Sequence, residues 1–168
     1  MKIRSGASIV ALVLAVGVTV AACTVDDAAH MHRHAPAVGG GAAPAQDTRE
    51  RVRFPDALRE HTLANMRAHL AALTEIQAAL AAGAYDRAAE LAERELGMSS
   101  LEQHGAHEVA GYMPAGMQAA GTAMHRAASR FAVAARNASV TSDLGSALAS
   151  LAVVGQTCVA CHAAWRLH

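Results

Sequence analysis

Apolar residues recur at intervals of three and four along much of the chain, which is the spacing of one face of an α-helix. The first run, helix A, begins near Pro55, which a first helical turn tolerates, and ends before Gly83. Its apolar positions are Leu58, Leu63, Met66, Leu70, Leu73, Ile76 and Leu80. Helix B is predicted over about 85–96, with Gly97 as its stop. Its stripe consists of Ala88, Leu91, Ala92 and Leu96.

Two further helices are predicted after a weaker stretch over about 98–113, where Ser99 to Glu102 has the form of a capping box that starts a short turn. Helix C opens at Pro114 and ends before Asn137. Its seam is Met117, Gly121, Met124, Ala128, Phe131 and Ala135. Helix D is capped by Thr141 or Ser142 with Asp143 behind. It continues as Leu144, Leu148, Leu151, Val154, Cys158 and Cys161.

The composition agrees with an all-α fold. Apolar residues make up 53% of the 168 residues and aromatic residues only 3%, so strand formers are scarce and alanine is abundant. Four helical segments joined mostly by short connections predict an antiparallel up-down four-helix bundle over residues 51–168. Basic and acidic residues number 14 each, so no polycationic surface indicates nucleic-acid binding.

The start of the chain is typical of an export signal. Lys2 and Arg4 precede an uncharged, apolar run, which closes as Val-Ala-Ala-Cys at residues 20–23. This ending resembles the lipobox of bacterial lipoproteins, which implies a signal peptide over 1–22 and lipidation of Cys23. An ordinary cleaved signal peptide and an uncleaved membrane anchor are the alternatives, and all three place the domain outside the cytoplasm.

Residues 23–50 are predicted to form a flexible linker, because glycine and proline are frequent and no periodicity is present. The linker also contains several residues that bind soft or borderline metals. These are His30, Met31, His32 and His34. A tether without preorganised geometry would bind a metal weakly, so we favour a solvated spacer over a metal site.

The C-terminal segment contains the pentapeptide Cys-Val-Ala-Cys-His at residues 158–162, the pattern of covalent c-type haem attachment. On a helix, Cys158, Cys161 and His162 project from one face because they are spaced i, i+3 and i+4. The two thiols can form thioethers with the haem vinyl groups, and His162 can ligate the iron axially. Export supports this prediction, since c-type haem is attached outside the cytoplasm.

Three other interpretations explain the motif less well. A thioredoxin-like dithiol would need a βαβ context, which the pattern does not predict. A zinc site built from Cys158, Cys161, His162 and His168 lacks a second ligand pair at the usual spacing. A disulfide between the two cysteines would leave His162 unexplained.

A C-terminal C-x-x-C-H on the last helix of an exported four-helix domain resembles the cytochrome c-prime family and its low-spin relatives. The resemblance covers residues 51–168. An aromatic and a basic residue follow the haem histidine in that family, and here they are Trp165 and Arg166. The resemblance implies that Arg166 lies beside the proximal histidine and the haem edge. Residues 113–116 are also similar to the loop that opens the family's third helix.

The resemblance further implies that the far side of the iron faces the first helix. Met66 is the candidate ligand there, and its thioether would raise the reduction potential. His69 is the rival ligand, and a third alternative is that no protein ligand binds. The family often has a basic residue where this chain has Thr62, so Arg59 and Arg67 are the nearest candidates for pairing with the haem propionates.

These observations predict an exported, monohaem c-type cytochrome that transfers single electrons and is not an enzyme. His162 would be the proximal ligand of one covalent haem c, and Met66 the distal ligand. The alternative is a five-coordinate protein that binds nitric oxide or carbon monoxide. The expected partners are periplasmic redox proteins and, through a lipid anchor at Cys23, the membrane. The family often pairs through its first two helices, so a homodimer is also among the implied assemblies.

Overall fold

Helices account for 76% of the residues that the structure, a computed structural model, describes, which are residues 46–168. The elements in chain order are β1 (Glu50–Val52), α1 (Asp56–Ala81), α2 (Tyr85–Glu95), a 3-10 turn (Met98–Ser100), α3 (Ala106–Ala110), α4 (Ala115–Thr141), α5 (Leu144–Ala164) and β2 (Trp165–Leu167). The all-α prediction is confirmed. The predicted signal peptide, Cys23 and the histidines of the predicted linker lie outside the described residues.

The starts and stops of α1 and α2 agree with the predicted helices A and B to within one or two residues. Pro55 is the N-cap of α1, where its missing N–H has no helical carbonyl to bind. Gly83 follows α1 with a φ of 70°, a left-handed conformation that glycine adopts without steric cost. Gly97 follows α2 in extended backbone and ends the second helix.

Two predicted boundaries were wrong. Helix α4 continues past Asn137 to Thr141, because no glycine or proline interrupts it. It ends at Ser142, which has a φ of 59°. The cap of α5 is Asp143, not Thr141 or Ser142. The Asp143 carboxylate accepts a hydrogen bond from the backbone N–H of Ser146 at 3.0 Å, which satisfies an otherwise unpaired donor of the first turn.

The main hydrophobic core is built largely from alanine. Helix α1 packs on α2, α2 on α4, and α4 on α5, whereas α1 and α5 are not closely packed on each other. Small side chains at these contacts let the helix axes approach closely. Phe131 and Ile76, both 0% exposed, are the largest side chains enclosed by these helices.

The apolar stripe predicted for α1 is partly wrong. Leu70 is 67% exposed. The buried positions of the helix are Thr62, His69, Ala72, Ile76, Ala79 and Leu80. The buried face of α1 is therefore rotated relative to the predicted stripe. It includes two polar residues, Thr62 and His69, whose residue types do not predict burial. The predicted stripe of α2 is confirmed, since Ala88, Leu91, Ala92 and Leu96 are all buried.

The two ends of the described chain meet in a small parallel sheet that the sequence analysis did not predict. Glu50 pairs with Trp165 and Val52 with Leu167. A second, smaller hydrophobic cluster lies against this sheet and contains Val52, Phe54 and Val109. These contacts extend the folded part of the chain to residues that the sequence analysis assigned to the linker.

Helix α5 is long and apolar enough to cross a membrane by length and composition alone, with a mean hydropathy of 1.6 over its most apolar window. It contributes Leu151 and Val154 to the main core. Leu144 and Leu148, predicted as part of its buried seam, are instead exposed.

Candidate functional site

A cavity of about 440 Å³ lies between α1, α4, α5 and the segment that contains α3. This volume is within the range of small-molecule and cofactor sites in proteins. Residues of both hydrophobic clusters border it, among them Met124 of the main core and Val109 of the smaller one. Since α1 and α5 are not closely packed, the cavity occupies the space where direct contact between those two helices would otherwise form.

The cysteine and histidine side chains of the C-x-x-C-H motif are brought to one wall of this cavity by the last two turns of α5. Cys158, Cys161 and His162 all line it, as their spacing on one helix face predicts. Both cysteines are half-buried free thiols. Burial raises the pKa of each thiol, because a thiolate is poorly solvated in apolar surroundings. Two protonated thiols and an imidazole therefore face the same space.

Across the cavity, α1 presents the two candidate distal ligands. Met66 and His69 both line the cavity, and His69 is the more deeply buried of the two, with 8% of its surface exposed. Burial and, to a smaller extent, the nearby histidines, including His162, together lower the pKa of His69 to about 4. His69 is therefore neutral at physiological pH and lies within electrostatic reach of the proximal candidate.

His69 belongs to a cluster of three buried histidines that sequence reasoning did not predict. The Nε2 atom of His69 lies 3.5 Å from Nδ1 of His104, and the two ring centres are 4.6 Å apart. His125 of α4 completes the cluster and donates from Nδ1 to the carbonyl of Leu96 at 2.8 Å. The hydroxyl of Ser100 lies between His104 and His125, at 3.3 and 3.4 Å from their Nδ1 atoms.

His104 of this cluster lies in a loop that is hydrogen-bonded to α1. The carbonyl of His104 accepts hydrogen bonds from Asn65 Nδ2 at 2.9 Å and from His61 Nε2 at 3.1 Å, which tie the loop to the turn of α1 that precedes Met66. Gly105 has a φ of 62°, and a Cβ there would lie 3.0 Å from His61 Nε2. Within residues 46–168, no group of three or more histidine, cysteine or acidic side chains is arranged to hold a metal ion by itself.

The remaining walls are apolar and include three further methionines. Met113, Met117 and Met124 line the cavity, whereas Met98 is exposed and lies elsewhere. Gly121 faces open space, since a Cβ built there would meet no atom within 4 Å. The flexible methionine side chains and the glycine, which has no side chain, suit a site that accepts a large, flat, apolar ligand.

The rim of the cavity carries two permanent positive charges. Arg49 and Arg166 line the cavity beside the motif, and no aspartate or glutamate of the described part of the chain does. Arg49 donates from Nη1 to the carbonyl of His162 at 3.4 Å. The expectation for Arg59 and Arg67 was wrong, because neither lines the cavity; Arg59 pairs with its neighbour Glu60 on the surface.

The donor set fits a haem. Covalent c-type attachment needs two thiols and a neighbouring imidazole, an iron ligand on the opposite wall, apolar sides and cations for the propionates. In this cavity, Cys158, Cys161 and His162 offer the two thiols and the imidazole. Met66 offers the second iron ligand. Arg166 Nε is buried without a hydrogen bond, although it lies 3.3 Å from Asp47 Oδ2, so a donor at the rim lacks an aligned acceptor.

Five of the predicted site residues border a single cavity, namely Met66, Cys158, Cys161, His162 and Arg166, whereas Arg59 and Arg67 do not. Sequence reasoning missed Arg49, which it placed in the linker, and the partnership of His104 and His125 with His69. His104 lies in residues 98–113, where the hydrophobic pattern is weak, and this was the only sequence signal that could have drawn attention to it. Its partners His69 and His125 come from other elements, so no local motif connects them.

Comparisons of the chain with models of protein families, with curated proteins and with solved structures find no match. The interpretation of the cavity therefore depends on the residues of this chain and on their geometry.

Proposed function

We propose that the protein is a monohaem c-type cytochrome, similar to the cytochrome c-prime family, that transfers single electrons and catalyses no reaction of its own. The observation that supports this most strongly is that the thiols of Cys158 and Cys161, the imidazole of His162 and the thioether of Met66 all border one cavity. These residues come from the first and last helices of the domain, and haem attachment requires that both helices face one cavity.

The proposal includes the architecture that holds the cofactor. The four long helices α1, α2, α4 and α5 would form an antiparallel up-down bundle. Successive long helices pack on one another, as that topology requires; short turns join α1 to α2 and α4 to α5, whereas residues 96–114, which include α3, join α2 to α4. The gap between the first and last helices of the bundle would be the haem site.

When bound, the haem supplies an iron that alternates between the ferric and ferrous states. Cys158 and Cys161 would hold the group through thioethers, and His162 would supply an imidazole ligand to its iron. Met66 offers a soft sulfur that favours the ferrous state. The apolar walls exclude water, which disfavours the extra positive charge of the ferric state and raises the reduction potential further.

The proposal also concerns location and partners. Export through residues 1–22 and lipidation at Cys23 would place the domain in the periplasm on a membrane tether. Periplasmic redox proteins would be its partners. His162, Cys161 and Arg166 lie near the surface of the described chain, so electrons could enter and leave at that edge.

A gas-binding protein is the second candidate function. The open space beside Gly121 and the half-buried state of Met66 favour it, since a small ligand such as nitric oxide or carbon monoxide needs room on the distal side. In that case neither Met66 nor His69 would ligate the iron, and the distal position would stay open.

The test is a spectroelectrochemical titration of protein produced in a bacterial host that attaches c-type haem. We expect a reversible one-electron transition between two low-spin spectra. The variant with both Cys158→Ser and Cys161→Ser is the control and should lose the covalent chromophore. A high-spin spectrum that changes on adding carbon monoxide would favour the gas binder, and a protein without any haem spectrum would contradict both functions.

A further inference from the structure

Arg49 and Arg166 share a single carboxylate at the rim of the cavity, and the residue that supplies it, Asp47, lies outside the cavity wall. We infer that the two arginines form a binding site for a carboxylate group of the cavity's ligand, and that Asp47 occupies this site until the ligand's carboxylate displaces it. The inference rests on the proposed function only in identifying those carboxylates as haem propionates.

The geometry shows how Asp47 holds both cations. Its Oδ1 accepts hydrogen bonds from Arg49 N at 3.2 Å and from Arg49 Nε at 3.0 Å. Its Oδ2 accepts from Arg49 Nη2 at 2.8 Å and lies 3.3 Å from Arg166 Nε. The fork-shaped guanidinium of Arg49 is thus paired with a carboxylate in bidentate fashion, the arrangement by which arginine recognises such groups.

The pairing with Arg166 is incomplete. Arg166 Nε is buried and lacks an aligned hydrogen-bond acceptor, although Asp47 lies close to it. A buried donor without an acceptor is costly, so this atom would gain from a second carboxylate that approaches from the cavity side. Asp47 therefore satisfies Arg49 well and Arg166 poorly.

The charge around the cavity favours the same conclusion. Among residues 46–168, the two arginines are the only permanently charged residues in its wall, and they lie on the same side as His162. The remaining wall is apolar or neutral. Such a cavity suits a ligand with an apolar body and an anionic edge, because each part meets a matching environment.

Displacement of Asp47 would cost little. Its carboxylate is exposed to solvent, as is the Arg49 side chain, and exposed ion pairs contribute little to stability. The backbone of Arg166 is held in place independently of Asp47. Arg166 lies in β2, and its neighbour Trp165 donates from Nε1 to Glu50 Oε2 at 3.0 Å across the small sheet.

The test compares the binding of two iron-free porphyrins to the haem-free full chain, followed by absorption and fluorescence. Protoporphyrin IX carries two carboxylates, and its dimethyl ester carries none; without iron, axial ligands contribute to neither. We expect the dicarboxylate to bind roughly tenfold or more tightly than the diester, the effect of one or two charge-assisted hydrogen bonds. Arg49→Leu and Arg166→Leu should abolish the preference.

Two variants make the test specific. Arg51→Leu removes the same charge from an exposed residue of β1 outside the cavity wall, and it should keep the preference. Asp47→Asn removes the internal competitor while retaining both arginines, so it should tighten binding of the dicarboxylate and leave the diester unchanged.

Equal binding of the two porphyrins by the unmodified chain, or binding of neither, would overturn the inference. So would an Asp47→Asn variant that binds the dicarboxylate more weakly, because Asp47 would then be a support for the arginines and not a competitor. These results are separate from the proposed function: a chain that prefers the dicarboxylate but never acquires covalent haem would keep the carboxylate site and contradict the cytochrome.

Discussion

The thiols and the buried imidazoles that line the cavity share one property, which is that they are uncharged. The thiols of Cys158 and Cys161 have raised pKa values, and the imidazoles of His69, His104 and His125 have lowered ones, because burial disfavours the charged form in each case. The interior of the site is therefore neutral at physiological pH, and its charge is confined to the arginines at the rim.

The histidine cluster gives the haem-free chain a pH-dependent stability. His69 has a pKa of about 4 when folded against 6.5 when unfolded, so the unfolded chain binds its proton first as the pH falls. We expect the free energy of unfolding to be highest above pH 6.5 and to fall between pH 6.5 and about 4, by about 3 kcal/mol from His69 alone.

Urea denaturation across this pH range measures the effect. The His69→Gln variant should show a smaller loss between pH 6.5 and 4 than the unmodified chain, because it has no imidazole to protonate. His107→Gln, which changes an exposed histidine of α3, is the matched control and should retain the full loss. Identical profiles for His69→Gln and the unmodified chain would contradict the burial argument.

Met66 is the residue whose replacement tests the proposed iron coordination. In the matured protein, Met66→Ala should remove the methionine–iron charge-transfer band and lower the reduction potential by on the order of 0.1 V, a part of the ≈ 0.8 V that axial ligands control. Met117→Ala also truncates a cavity methionine, on α4, and should leave the band in place. If the band is lost in Met117→Ala and kept in Met66→Ala, the iron ligand is Met117 of α4, and the assignment to Met66 of α1 is contradicted.

At the scale of the elements, close packing depends on small residues around a few large ones. Alanines dominate the buried faces of α2 and α4, and Phe131 of α4 fills the space between the helices with 0% of its surface exposed. Because so few large side chains are buried, each contributes a large share of the core. The stability of the haem-free domain should therefore depend strongly on single aromatic and aliphatic residues.

Replacing Phe131 with alanine tests this dependence. We expect Phe131→Ala to lower the free energy of unfolding by about 3–5 kcal/mol, from lost apolar burial and the cavity left behind. Val133→Ala lies two residues along the same helix at a position that is 56% exposed, and it should change stability by less than about 0.5 kcal/mol. Chemical denaturation compares the two, and similar losses for both would contradict the described core.

The ends of the first two helices could be predicted from the sequence. Pro55 and Gly83 mark the ends of α1, and Gly97 ends α2, because proline and glycine act on the backbone locally. The end of α4 could not be predicted, since Asn137 is compatible with a helix interior and Ser142 adopts its left-handed conformation without a glycine. The exposure of Leu70 could not be predicted either, because the face of α1 that becomes buried depends on the helices that pack against it.

At the scale of the whole molecule, the two ends of the described chain close the site together. The small sheet joins residues 50–52 to residues 165–167, directly after the C-x-x-C-H motif, and the bond from Trp165 to Glu50 spans 115 residues of sequence. Such a contact has no local signal, so the sequence analysis assigned residues 47–50 to a linker. The motif itself was evident because its three residues lie within one helical turn and a half.

The only tryptophan in the chain reports on this closure. In the haem-free protein, Glu50→Gln retains an acceptor for Trp165 Nε1, whereas Glu50→Ala removes it. We expect Glu50→Ala to shift tryptophan emission to longer wavelength as the indole gains water, and to lower stability by about 0.5–1.5 kcal/mol. Glu50→Gln should resemble the unmodified chain. Unchanged emission in Glu50→Ala would mean that the sheet does not depend on this bond.

The central claim is that Cys158 and Cys161 carry a haem, and intact mass spectrometry under denaturing conditions tests it most directly. The protein should be produced in a host that attaches c-type haem, beside the variant with both cysteines changed to serine. The account predicts one additional haem mass on the unmodified chain, which survives denaturation, and none on the variant. An unmodified chain at its bare polypeptide mass, under conditions in which a known c-type cytochrome matures, would contradict the account.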